Sequence, residues 1–127
     1  MQQATIYQQY KSQSLQTLTQ GELVVKLFEE ASKQVSTAIF LTNQNNSYKA
    51  FNCIKKAQKI ISTLNASLDM NYAISIELND IYGFLHKMLG EAAAEQDAKL
   101  MKDLLAIIDE LKVTFRQAEK IARARGY

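Results

Sequence analysis

The side chains with the widest chemical reach in this chain are a single histidine and a single cysteine. In His86-Lys-Met-Leu-Gly90 a histidine is followed at the fourth position by glycine, which resembles the pattern of small helical bundles that pass phosphate between signalling proteins on an exposed histidine. A lysine directly before that glycine would supply the charge such a group needs, and Leu89 stands there instead. Phosphotransfer through His86 is therefore only an alternative to a surface histidine between Leu85 and Leu89. A di-iron centre of the kind helical bundles hold needs Glu-x-x-His pairs, and the residue three before His86 is Gly83. Zinc needs several Cys or His ligands, which His86 and Cys53 alone cannot provide. There is no Gly-rich phosphate loop, Gly-x-Ser-x-Gly turn or Cys/His nucleophile pair. The expectation is a binding protein without catalytic residues, metal or cofactor.

The elements that must carry any binding surface are helices. Thr19-Gln-Gly-Glu22 has the form of a capping box, in which the threonine oxygen accepts from the third helical amide and the glutamate reaches back to the threonine amide. From there Leu23, Val24, Leu27, Phe28, Ala31, Val35, Ala38 and Ile39 form a helical stripe, and Asn and Ser at 43–47 end it. The spacing predicts a second helix from a Ser47 cap to about Leu68, and Asp69-Met-Asn71 as a turn. A third helix carries Ile74, Leu78, Ile81, Tyr82, Leu85, Met88, Leu89 and Ala92 on one side. Asp97 caps a fourth, with Leu100, Met101, Leu104, Leu105, Ile108, Leu111, Phe115, Ala118 and Ala122 facing inward. Gly83 and Gly90 each cost the third helix about 1 kcal/mol, so each calls for an offsetting reason such as close approach of another helix. The fold class that follows is all-α, an antiparallel four-helix bundle over residues 19–127. Residues 1–18, rich in Gln, Thr and Ser, read as a mobile strap or short helix bearing Ile6, Tyr7, Tyr10, Leu15 and Leu18.

Composition narrows the function. The chain has 127 residues, no proline and a formal net charge of +2, too little basic excess to point to nucleic acid or an anionic membrane. One cysteine makes no internal disulfide, and polar glutamines follow Met1, so a reducing cytosol is expected. No apolar run nears the roughly 20 residues of a membrane helix.

Apolar breadth points to a partner. Ile54, Ala57, Ile61, Leu64 and Leu68 line one face of the second helix, while Cys53, Ile60 and Ala66 fall outside that line. A helix apolar over more of its circumference than one neighbour covers has surface left for a second contact. Three occupants stay open at this point: a client helix, some other partner of a generic helical adaptor, or a second copy of the chain in a homodimer.

Over nearly its whole length the chain also resembles the FliS family of flagellar secretion chaperones. The resemblance rests on the strap residues Tyr7-Gln-Gln-Tyr10 and Leu15, followed by Thr19-Gln-Gly-Glu-Leu23; on Ala57-Gln58, Ile60-Ile61, Leu64 and Leu68-Asp69; on Leu78, Ile81-Tyr82, Leu85, Leu89, Ala92 and Asp97; and on Asp109-Glu-Leu-Lys112. The chain departs from the family pattern at Gln20, where proline is common, at Gly83, where aspartate is frequent, and at Lys87-Met88, Ala93 and Phe115. The resemblance implies a non-catalytic, cytosolic chaperone that binds the C-terminal helical segment of flagellin and delivers it to the type III export apparatus. It implies flagellin contacts on or beneath grooves at Ala57, Ile60, Ile61, Leu64, Leu68, Leu78, Tyr82 and Leu85. It implies docking of the strap, through Ile6, Tyr7 and Tyr10, to the cytoplasmic domain of the export gate.

Overall fold

The computed structural model describes residues 19–126. The strap with Ile6, Tyr7, Tyr10, Leu15 and Leu18 lies outside the described residues. Four helices make up the described part: α1 Gln20–Asn43, α2 Ser47–Ala66, α3 Ala73–Glu95 and α4 Ala98–Ala124. The all-α bundle expected from the periodicity is the fold observed.

Local chemistry sets the helix ends. The Thr19 oxygen accepts from the Glu22 amide at 3.1 Å, and the Thr19 hydroxyl donates to Glu22 Oε1 at 3.0 Å. The glutamate thus reaches back to the hydroxyl rather than to the amide that a capping box would engage. Asp97 Oδ1 accepts from Leu100 N at 3.0 Å, which starts α4 where expected. The α2 cap is Asn46 rather than Ser47, its side chain accepting from Lys49 N. Asparagine wins because the chain ahead of it turns through Asn45 at φ 59°, a left-handed conformation that Asn tolerates.

The core is one cluster to which every helix contributes. Phe28, Ala31, Val35 and Ala38 of α1 meet Ala50, Ile54, Ala57, Ile61 and Leu64 of α2, Leu78, Tyr82, Leu85, Leu89 and Ala92 of α3, and Met101, Leu104 and Ile108 of α4. Phe28 stacks on Phe115 with centroids 5.2 Å apart and tilts against Tyr82 at 6.3 Å. Helix α1 is central: it packs closely on both α2 and α4, and α3 packs on α2. The α1–α4 seam is also tied by Ser32 Oγ donating to Asp109 at 2.6 Å and by Arg116 paired with Glu29 at 3.1 Å. The α3–α4 seam is the loosest of the four.

Two expected inward positions turn out exposed. Ile74 is 58% exposed because it sits in the first turn of α3, at the open end of the bundle. Ala118 is exposed on the last third of α4.

The two helix glycines have different explanations. A Cβ on Gly90 would stand 2.9 Å from Gln58 Nε2, and that amide donates to the His86 carbonyl at 2.8 Å, so Gly90 leaves room for a pin between α2 and α3. A Cβ on Gly83 would meet nothing within 4 Å, and no described helix accounts for that glycine. Gly83→Ala should therefore stabilise the protein by about 0.5–1 kcal/mol, through helix propensity and a less disordered unfolded chain. Gly90→Ala must move the end of the flexible Gln58 side chain and break its bond to the His86 carbonyl, which offsets the propensity gain, so its stability should stay within about 0.5 kcal/mol of the parent. Urea unfolding of the two variants checks both expectations.

Candidate functional interface

The residues expected to contact a client divide into three environments. Ala57 and Leu85 are completely buried, and Ile61 is nearly so. Leu64, Leu68, Leu78 and Tyr82 converge at one end of the bundle around a cavity of about 210 Å³, which Val24, Ile74 and Phe115 also line. Leu64, Leu78 and Tyr82 are mainly core there, and only Leu68 is partly exposed. Ile60 is separate. It packs half-buried against the core, on the side of α2 away from the Gln58 pin, and does not join the others.

The breadth of α2 is smaller in space than in sequence. Cys53 and Ile60, which fall off its main stripe, are both packed against the core. The large exposed apolar side chains of α2 are Tyr48 and Phe51 in its first turns, and Lys55 Nζ lies 5.2 Å from the centre of the Phe51 ring. Large apolar side chains are exposed on the other helices too: Phe40 on α1, Ile74, Ile76 and Phe84 on α3, and Val113 and Ile121 on α4, each about half-exposed or more. The surplus is therefore not peculiar to the second helix. Cys53 and Ile60 are covered because α1 and α3 flank α2, whereas α3 and α4 barely close on each other.

Between α3 and α4 runs an open groove of about 400 Å³, lined by Ile81, Phe84, Ile107 and Leu111 with Asp80, Glu110 and Thr114 at its edges. Phe84 is not among the residues that the sequence reading singles out. The signal is present, because Ile76 and Phe84 fall off the α3 stripe just as Ile60 falls off that of α2.

A third opening, of about 250 Å³, lies between α2 and α3 and is lined by Ile61, Ser62, Asn65, Tyr82, Gly83 and His86. Leu89, in the place of a charge-supplying lysine, is completely buried, and the space beside Gly90 is filled by Gln58. The geometry that would make His86 a phosphate carrier is thus missing on both counts. Among the described residues no cluster of three His, Cys, Asp or Glu side chains is placed to hold a metal ion. No described helix is long and apolar enough to cross a membrane.

Among the described residues Tyr82, 2% exposed, is the ionisable group most changed by folding: burial pushes its phenol from the ordinary 10.0 up to about 12. The unfolded chain then gives up this proton first as pH rises. Its contribution to stability is complete below pH 10, shrinks between about 10 and 12, and has gone above that. Alkaline unfolding of Tyr82→Phe should show a flatter loss of stability over that window than the unaltered chain, with the difference read from urea midpoints.

What these features add up to is a helical bundle with open, largely apolar seams and no assembled reaction centre among the described residues. Comparison with known proteins gives that bundle its kinship. The flagellar secretion chaperone FliS of Bacillus subtilis (strain 168) is 24% identical over 112 residues, covering 88% of this chain and 84% of the relative. The family described as Flagellar protein FliS matches residues 2–122, so that the chain belongs to the FliS family of flagellar proteins.

Proposed function

We propose that this protein is a cytosolic flagellar export chaperone that binds the C-terminal helical segment of flagellin, keeps subunits from polymerising early and delivers them to the type III export apparatus. The observation that carries the reading is the open apolar groove between α3 and α4, with Phe84 half-exposed in it, in a chain of the FliS family. A relative that bears the name flagellar secretion chaperone supports the same reading. A groove lined by Ile81, Phe84, Ile107 and Leu111 suits an amphipathic helix, and a client segment that folds on binding can cover on the order of 1,000–3,000 Å². The contacts at Ile60 and Leu68, and the support given from beneath by Ala57, Ile61, Leu64, Leu78, Tyr82 and Leu85, belong to this proposal. So does export-gate docking through Ile6, Tyr7 and Tyr10, for which Tyr10→Ala should weaken binding of the loaded complex to the gate's cytoplasmic domain.

The experiment is size-exclusion chromatography and calorimetry with a flagellin C-terminal peptide. A one-to-one complex with submicromolar affinity is expected. A stable dimer that ignores the peptide would point to the second reading, in which the same apolar surface is a homodimer seam.

A further inference from the structure

The α3–α4 groove carries two carboxylates and no base among its lining residues. Asp80 stands at its α3 edge and Glu110 at its α4 edge, above the floor of Ile81, Phe84, Ile107 and Leu111. Helical spacing adds Glu77, three residues before Asp80, and, nearer the α3–α4 turn, Glu91 and Asp103, against the bases Lys87 and Lys99. Acid thus outnumbers base along this seam of a chain whose net charge is +2. The nearby bases of α4 are engaged elsewhere, Lys112 with Asp109 and Arg116 with Glu29 of α1.

We propose that this groove takes an amphipathic helix whose apolar stripe is flanked by lysine or arginine, and that Asp80 and Glu110 select for it. The proposal deepens the client-binding reading and rests on it for the claim that another protein's helix docks on this chain. A helix is the shape required. Both walls are helices whose backbone groups are already paired, so an extended segment laid on the apolar floor would find no donors or acceptors for its own amides, whereas a helix satisfies them internally. The basic flank follows from desolvation. Any occupant that covers Phe84 also removes water from Asp80 and Glu110, a cost that cationic neighbours offset and acidic ones increase. Acid on both edges thus rejects the wrong partner as well as attracting the right one.

Two synthetic helical peptides with the same apolar stripe, one flanked by lysines and the other by glutamates, provide the test. Their binding to the full chain is followed by fluorescence anisotropy, beside that of a flagellin C-terminal segment. The lysine peptide should bind about tenfold more tightly, with the preference shrinking as salt is raised and vanishing or reversing in the double variant Asp80→Lys/Glu110→Lys. Both positions are exposed, so this variant keeps its fold. Equal affinities for the two peptides, or a preference unchanged in the double variant, would overturn the proposal. So would a dimer that the double variant disperses and that binds neither peptide, since a second copy would then fill the groove. If the flagellin segment binds without any charge preference among the peptides, the groove proposal alone fails. If the preference appears and the flagellin segment does not bind, the proposal stands and flagellin is the wrong client.

Discussion

Phe84→Glu should weaken binding of the flagellin segment at least about thirtyfold while leaving the bundle folded. The ring is 50% exposed on the floor of the α3–α4 groove, so about 100 Å² of it is available for a client to cover. At about 25 cal/mol per Å² that area corresponds to roughly 2.5 kcal/mol, and each 1.4 kcal/mol is a factor of ten in affinity. The added carboxylate would face Asp80 and Glu110 and resist desolvation. The free chain loses little, because glutamate is at least as good a helix former as phenylalanine and the site is open to water. Calorimetry with the peptide, and a thermal midpoint within a few degrees of the parent, are the two readings. An affinity within twofold of the parent would remove the α3–α4 groove from the interface.

Leu85→Ala, one residue along, should do the opposite. Leu85 is completely buried in the cluster shared by all the helices, and truncating such a leucine leaves a cavity worth about 3 kcal/mol. Against a total of about 5–15 kcal/mol that is a large fraction, and the midpoint should fall by about 10–15 °C. Below the transition the variant should still bind the peptide to within a few-fold. Loss of affinity there, in a variant that is fully folded by circular dichroism, would return Leu85 to the contact surface. Side by side, the two variants separate residues a client touches from those that hold the groove in shape.

That distinction marks where the sequence stops being readable. Helix starts at Thr19 and Asp97 can be found because a cap is a bond between residues three apart, and Asn46 lies one position from the expected cap because its neighbour Ser47 caps equally well in isolation. The buried stripe is legible for the same reason of periodicity, down to Leu85, Leu89 and Ile108. What periodicity does not encode is how many neighbours each helix will have. Ile60 and Phe84 look alike as residues off a stripe, but Ile60 packs onto the core while Phe84 opens onto a gap. Gly83 and Gly90 are likewise indistinguishable until Gln58 is seen to reach across to one of them.

The order of packing has a consequence for how the protein is made. Helix α1 leaves the ribosome before the other three, yet one of its two main supports is α4, the last of them to be synthesised. Until then Phe28 lacks the cover of Phe115, and the Ser32–Asp109 and Glu29–Arg116 ties cannot form. A member of the FliS family thus passes through a stage of its own birth in which its own apolar faces are uncovered.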